Sequence, residues 1–157
     1  MHIYIGTDHA GFELKEKLKV FLSELGYTVE DMGAHAYDGE DDYTDFVRPV
    51  AEAVARDEQS RGVILGGSGQ GEAMCANRVR GARAAVYYGG PVDIAVLSRE
   101  HNDANILSLG ARFLEEDEAL EVVKLWLAAP FGGVERHARR IKKIDGVNLS
   151  QQPTTNN

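Results

Sequence analysis

The chain opens on a short apolar run, His2-Ile3-Tyr4-Ile5-Gly6-Thr7, of a length that suits one strand. Leu14, Leu18, Phe21, Leu22 and Leu25 then recur at the spacings of one helix face, and Gly26 stops the pattern. Thr28 to Met32 reads as a second strand, and Ala34 to Asp42 as a polar, acidic loop. Phe46, Val50, Ala53 and Val54 mark a second helix, with Asp45 as its cap and Pro49 in its early part, where proline disrupts least. Gly62 to Gly66 is a third, buried strand, and a glycine-rich turn leads from it into a helix over Glu72 to Asn77. A strand over Arg83–Tyr88, a helix over Val92–Arg99 and a strand over Asn105–Leu109 follow. An apolar helix over Ala119–Leu127 and a basic one over Val134–Ile144 complete the pattern, and Gln151 to Asn157 is a polar tail expected to fray.

Strands that alternate with helices imply right-handed crossovers and a parallel sheet covered on both faces. The expected fold class is α/β: a single-domain, three-layer α/β/α sandwich, Rossmann-like, with about five parallel strands. One domain over residues 1–150 and a tail over 151–157 account for the whole chain. Ligands of such sheets bind at the carboxyl ends of strands. That rule selects Asp8-His9 after the first strand, the Gly66–Gly71 loop after the third, and Gly110-Ala111-Arg112 after the fifth.

Composition narrows the partners. At 157 residues the chain suits one domain with an adequate core. Seventeen Lys and Arg against 25 Asp and Glu leave a net charge of −8, which argues against non-specific nucleic-acid binding. An anionic small substrate would need a local basic pocket. The single cysteine, Cys75, can form neither an intrachain disulfide nor a cysteine cage for zinc, and the five histidines show no paired spacing, so no metal is expected. No secretory signal and no membrane-length apolar run is visible, so a soluble cytoplasmic protein is expected.

Gly66-Gly67-Ser68-Gly69-Gln70-Gly71-Glu72 is the strongest feature. Four glycines in six residues let backbone N–H groups approach a ligand closely, so the loop suits a phosphate or a developing oxyanion. It is neither a Walker loop nor a dinucleotide fingerprint, and it could also serve only as a tight turn. Glu72 suits a general base beside an anion hole, or a carboxylate that stabilises the first helical turn. Asp8-His9 could act at the site or cap a helix, and Arg99 to Asn105 could be a surface loop or carry His101 and Asn102 into acid–base work. Arg136 and Arg140 share a helical face and can clamp a phosphate, the alternative being a solvated helix end. Cys75 reads as a small buried core residue.

Thr7-Asp8-His9-Ala10-Gly11-Phe12, Asp42-Tyr43, Gly66 to Glu72, Ala76-Asn77-Arg78, Arg99 to Asn102 and Arg136 to Arg140 occur in that order. Over residues 1–145 this series resembles the type B ribose-5-phosphate isomerases and the related galactose-6-phosphate isomerase subunits. The resemblance implies a Rossmann-like sandwich that interconverts aldose and ketose phosphates without a metal or other cofactor. It also implies a homodimer, or in some members a tetramer, with the active site at the subunit interface. By the same resemblance Asp8 and His101 would assist ring opening, and His9, Arg112, Arg136 and Arg140 would hold the phosphate. Tyr43 and Asn102 would line the sugar, and Ser68 with the amides of Gly67, Gly69 and Gly71 would stabilise an enediolate. Many members carry a cysteine base where this chain has Gly66, whereas a second branch uses a glutamate at the position of Glu72. The chain fits that branch, so the base is assigned to Glu72 and not to Cys75. Thr44, where the family often has proline, is a smaller departure.

The implied reaction is ribose 5-phosphate to ribulose 5-phosphate. Two alternatives remain: isomerisation of a six-carbon sugar phosphate such as allose or galactose 6-phosphate, and a non-catalytic phosphosugar-binding module. No nucleic acid and no membrane enters any of them.

Overall fold

The computed structural model describes residues 1–146; the expected tail over 151–157, and the last positions of the expected domain, lie outside the described residues. Strands β1 (His2–Thr7), β2 (Thr28–Asp31), β3 (Arg61–Gly66), β4 (Ala84–Tyr87) and β5 (Ile106–Gly110) form one sheet in the order β2-β1-β3-β5-β4, with every pairing parallel. Helices α1 (Phe12–Glu24), α2 (Tyr43–Arg56), α3 (Gln70–Ala76), α4 (Asp93–Asn102), α5 (Glu116–Ala128) and α6 (Glu135–Asp145) surround it. A short 3-10 turn, His9–Gly11, joins β1 to α1.

The period-two geometry of strands sorts the core into two layers. Ile3, Ile5, Val63, Leu65, Leu107 and Leu109 point to one face, where Leu18 and Leu22 of α1 and Val122, Val123 and Trp126 of α5 cover them. Ile64 and Ile106 point to the other, against Val47, Val50, Ala51 and Val54 of α2 and Ala76 of α3. This is the expected sandwich. Strand order reverses between β1 and β3, so the crevice at their carboxyl ends is the topological switch point.

Several helix boundaries differ from expectation. Helix α2 begins at Tyr43 with Asp42 at its N-cap, so Asp45 is not the cap but lies in the first turn. Pro49 therefore falls inside the helix and not at its start. Tyr43 itself fits the apolar spacing, three residues before Phe46, and packs on the α2 layer, but the exposed Thr44 and Asp45 beside it and the acidic run before it read as loop. Helix α3 begins at Gln70, two residues before its expected start. Helix α4 runs on through Asn102, so Arg99 to Asn102 are its last turn and not a surface loop. Arg99 is buried there, with its guanidinium bonded to Asp103 and to the Ala104 carbonyl, both at 2.7 Å. Such pairing lets an arginine sit inside, which a reading of charge alone would not anticipate.

Lys15, on the inner face of α1, is fully buried and bonds Asp31 at the end of β2, at 2.6 Å. Lys19 bonds the same carboxylate. Burial alone would raise the Asp31 pKa, but hydrogen bonds from Lys15, Lys19 and the Gly33 N–H outweigh it and hold the carboxyl below its ordinary value. Lys15 also bonds the Glu16 carboxylate at 2.7 Å, so Asp31→Asn removes one of its two partners and should destabilise the fold by about 2 kcal/mol at neutral pH. A depressed folded pKa contributes stability above the ordinary carboxylate value and loses it as pH falls through the folded value. The gap between parent and Asp31→Asn should therefore close in acid, as urea unfolding at several pH values would measure.

Candidate active site

Three strand ends converge at the switch point. After β3, Gly69 turns the chain into α3 at φ +76°, and a side chain there would press on the Leu109–Gly110 backbone. Only glycine suits that position. Ser108 of β5 donates a hydrogen bond to the Gly69 carbonyl at 2.6 Å and pins the turn from beneath. The Ser68 hydroxyl faces the Gln70 N–H at 3.4 Å, the Tyr43 hydroxyl lies over Gly71, and the Arg112 guanidinium lies over Gly67.

Glu72 occupies the third position of α3 and is 4% exposed, although it is a carboxylate. Its side chain folds back over Gly66: a β-carbon built there would fall inside the Glu72 carboxyl group. Burial raises the Glu72 pKa, and the charge of Asp8 adds to this, against the pull of the Glu72 and Gly69 N–H groups. The geometry of a first-turn capping carboxylate and that of a general base are thus both present in one residue. Cys75, one turn on, is half-buried against the α2 layer, and burial pushes its thiol pKa up, with the Glu72 charge acting the same way.

Asp8 is buried at the end of β1, and its carboxylate accepts from the Ala10 N–H at 2.9 Å, so it does cap the short turn that follows. It also sits near enough to Glu72 to shift it. His9 Nδ1 lies 2.7 Å from Asp41 Oδ1. Asp41 stands outside the expected set. The acidic run Glu40-Asp41-Asp42 just before Tyr43 is its one trace in the sequence, and nothing there pairs position 41 with position 9. Asp8, His9 and Asp41 also form the single group of potential metal donors among the described residues, with ligand atoms within 4.8 Å of one another. One nitrogen and one oxygen of that trio already satisfy each other.

The remaining expected residues lie elsewhere. Helix α4 leaves the carboxyl end of β4 and returns antiparallel to the sheet, so its last residues, His101 and Asn102, stand at the amino-end rim. Ten residues of helix span about 15 Å, which separates His101 from Glu72 by most of the sheet's height. At that rim the His101 ring packs against His137 of α6, centroids 4.4 Å apart. His137 is buried, and its Nε2 accepts from Arg136 Nε at 3.1 Å. Burial, then the neighbouring His101, Arg136 and Arg140, lower its pKa. His137 was not given a role by the sequence; its place inside the Arg136–Arg140 motif was the only hint. Asp103, in the left-handed conformation at φ +46°, ends α4 and bonds both Arg83 and Arg99. Arg83 also bonds Asp145 at the end of α6, so one charged web fixes both helices that carry the basic rim.

One chain therefore gathers the expected residues into two separate clusters. The first joins Asp8, His9, Tyr43, the Gly67–Gly71 loop, Glu72 and Arg112 at the carboxyl ends. The second joins His101, Asn102, Arg136 and Arg140 at the opposite rim. Among the described residues no helix is long and apolar enough to cross a membrane.

The chain is similar in sequence and fold to known proteins. Ribose-5-phosphate isomerase B of Mycolicibacterium paratuberculosis is 43% identical over 141 residues, covering 90% of this chain and 87% of that protein. A structure of ribose-5-phosphate isomerase B from Clostridium thermocellum superposes with a TM-score of 0.88 at 47% identity, covering 94% of this chain and 97% of that one. The enzyme of that name from Mycoplasma genitalium, solved with bound ribulose-5-phosphate, gives a TM-score of 0.88 at 37% identity, covering 92% and 94%. A model of the Ribose/Galactose Isomerase family matches residues 3–144, which take in both clusters. By sequence and by fold, the chain belongs to that family.

Proposed function

We propose that the protein is an aldose–ketose isomerase that interconverts ribose 5-phosphate and ribulose 5-phosphate in the cytoplasm. The observation that carries the chemistry is the Glu72 carboxyl, buried over Gly66 inside a glycine loop, with its pKa raised toward the working range of a general base. The five-carbon substrate rests on the relatives, one of which holds ribulose-5-phosphate.

Asp8 and His101 assist opening of the sugar ring. Glu72 takes the C2 proton of the aldose, and charge grows on the enediolate oxygen. Ser68 and the amides of Gly67, Gly69 and Gly71 face that charge. The O2 hydroxyl proton passes to O1, where the charge had grown, and the protonated Glu72 carboxyl returns its proton to C1, which gives the ketose. One carboxyl serves both steps because both carbons share one face of the intermediate. His9, Arg112, Arg136 and Arg140 hold the phosphate, while Tyr43 and Asn102 line the sugar. Because the two clusters lie at opposite edges of the sheet, a working site takes one from each of two chains, in a homodimer or a tetramer built of such dimers.

An isomerase assay over a panel of pentose and hexose phosphates tests the reading. Ribose 5-phosphate should be the best substrate. Faster turnover of allose or galactose 6-phosphate would move the assignment to a six-carbon sugar, and turnover of none would leave a binding module. Arg136→Ala and Arg140→Ala should each raise KM roughly ten- to hundredfold, as the loss of one charge-assisted phosphate contact does. Binding of substrate and inorganic phosphate at parental strength in either variant would contradict the clamp.

A further inference from the structure

We propose that Asp41 is a positioning residue for His9, holding the imidazole so that Nδ1–H faces the Asp41 carboxylate and Nε2–H is left to donate to a phosphate oxygen. The proposal rests on the reading of His9 as a phosphate ligand. It stands on three geometric facts. A single oxygen, Asp41 Oδ1, receives both the His9 ring nitrogen at 2.7 Å and the His9 backbone N–H at 3.0 Å. The ring and its own backbone are thus gripped by one group from a loop 32 residues away. The Asp41 side chain is only 10% exposed, and its second oxygen, Oδ2, is buried with no hydrogen-bond partner.

A buried carboxylate oxygen without a donor is costly unless a positive charge lies close by. A protonated His9 is that charge. A neutral imidazole with its proton on Nδ1 would turn the lone pair of Nε2 toward the anion and repel it, whereas the imidazolium donates from both nitrogens. The surroundings agree in sign. The hydrogen bond to Asp41 raises the His9 pKa most; burial opposes it, the charges of Asp8 and Asp41 add to it, and Arg112 works against it. Those groups come from the end of β1, from the loop before α2 and from the segment after β5. The Tyr37 ring, 6.3 Å away and edge-on, completes the wall. Asp41 therefore favours the cationic form of His9 beside Arg112, in which two positive groups meet one phosphate.

Asp41→Asn separates charge from orientation, because the amide oxygen can still accept from Nδ1–H. Two measurements on the whole protein decide. Proton–nitrogen NMR of the His9 ring in the ligand-free protein reports its tautomer and its titration. Calorimetry with inorganic phosphate reports anion binding. In Asp41→Asn the His9 titration should move down in pH. Phosphate should bind roughly tenfold more weakly at a pH between the two measured His9 titrations and equally at a pH below both, where both proteins carry the imidazolium. A His9 titration that is the same in parent and variant would overturn the proposal. So would a loss of phosphate affinity of equal size at both pH values, which would mark Asp41 as a mere loop support. His9→Ala separates the two readings: phosphate binding unchanged by that substitution removes His9 as a phosphate ligand and takes the proposal down with it. A weakened His9→Ala with an unshifted Asp41→Asn overturns the proposal alone.

Discussion

Glu72→Gln should give a folded protein that still binds phosphosugar but no longer exchanges the C2 proton with solvent. Glutamine keeps the volume over Gly66 and can still accept from the nearby amides, yet it cannot take a proton from carbon. Proton transfer by a placed side chain contributes ~10²–10⁴-fold, and turnover should fall by at least that much. The same burial sets two further signs. Since the Glu72 pKa is raised, the parent should lose activity on acidification at a pH above the ordinary carboxylate value. A raised folded pKa also means that the stability linked to the proton is full below the ordinary value and lost as pH rises through the folded one. At neutral pH the ionised carboxylate thus works against folding, and Glu72→Gln should melt no lower than the parent. Cys75→Ala should retain most activity, because burial and the Glu72 charge both keep that thiol protonated. Near-parental C2 exchange in Glu72→Gln, or a folded, substrate-binding but inactive Cys75→Ala, would reverse the assignment.

Co-expression of two inactive chains should restore activity. Suppose one carries Glu72→Gln and the other Arg136→Ala with Arg140→Ala. If each site joins the carboxyl-end cluster of one chain to the basic rim of its partner, a mixed dimer has one doubly broken site and one intact site. Random pairing makes half the dimers mixed, so about a quarter of parental activity should return. Sites completed within single chains would recover none. The separation of His101 from Glu72 across the sheet underlies this expectation, and tagged chains purified in tandem would measure it.

Much of the fold was legible along the chain because burial in a parallel sheet writes itself as period. Val63, Ile64 and Leu65 are buried on both faces, and Leu14, Leu18 and Leu22 repeat along one face of α1. The rule that ligands gather at strand carboxyl ends then placed Asp8, the glycine loop and Arg112 together, as the structure does. Three things were not legible. The start of α2 was missed because Tyr43, its one apolar residue in the first turn, stands between the acidic run 40–42 and the exposed Thr44 and Asp45, a context that reads as loop. Asp41 was missed because its partner lies across a loop whose path no local rule dictates. The split of His101 from Glu72 was not visible either, since it depends on the direction in which α4 runs, and side-chain spacing is silent on direction. Even the resemblance, which supplied the roles, said only that sites lie between subunits and left unstated which residue comes from which edge.

The carboxyl group of Glu72 and any side chain at position 66 would compete for one volume. Bare glycine at position 66 is therefore what leaves the Glu72 carboxyl its buried place, and any larger residue there would have to turn that carboxyl aside.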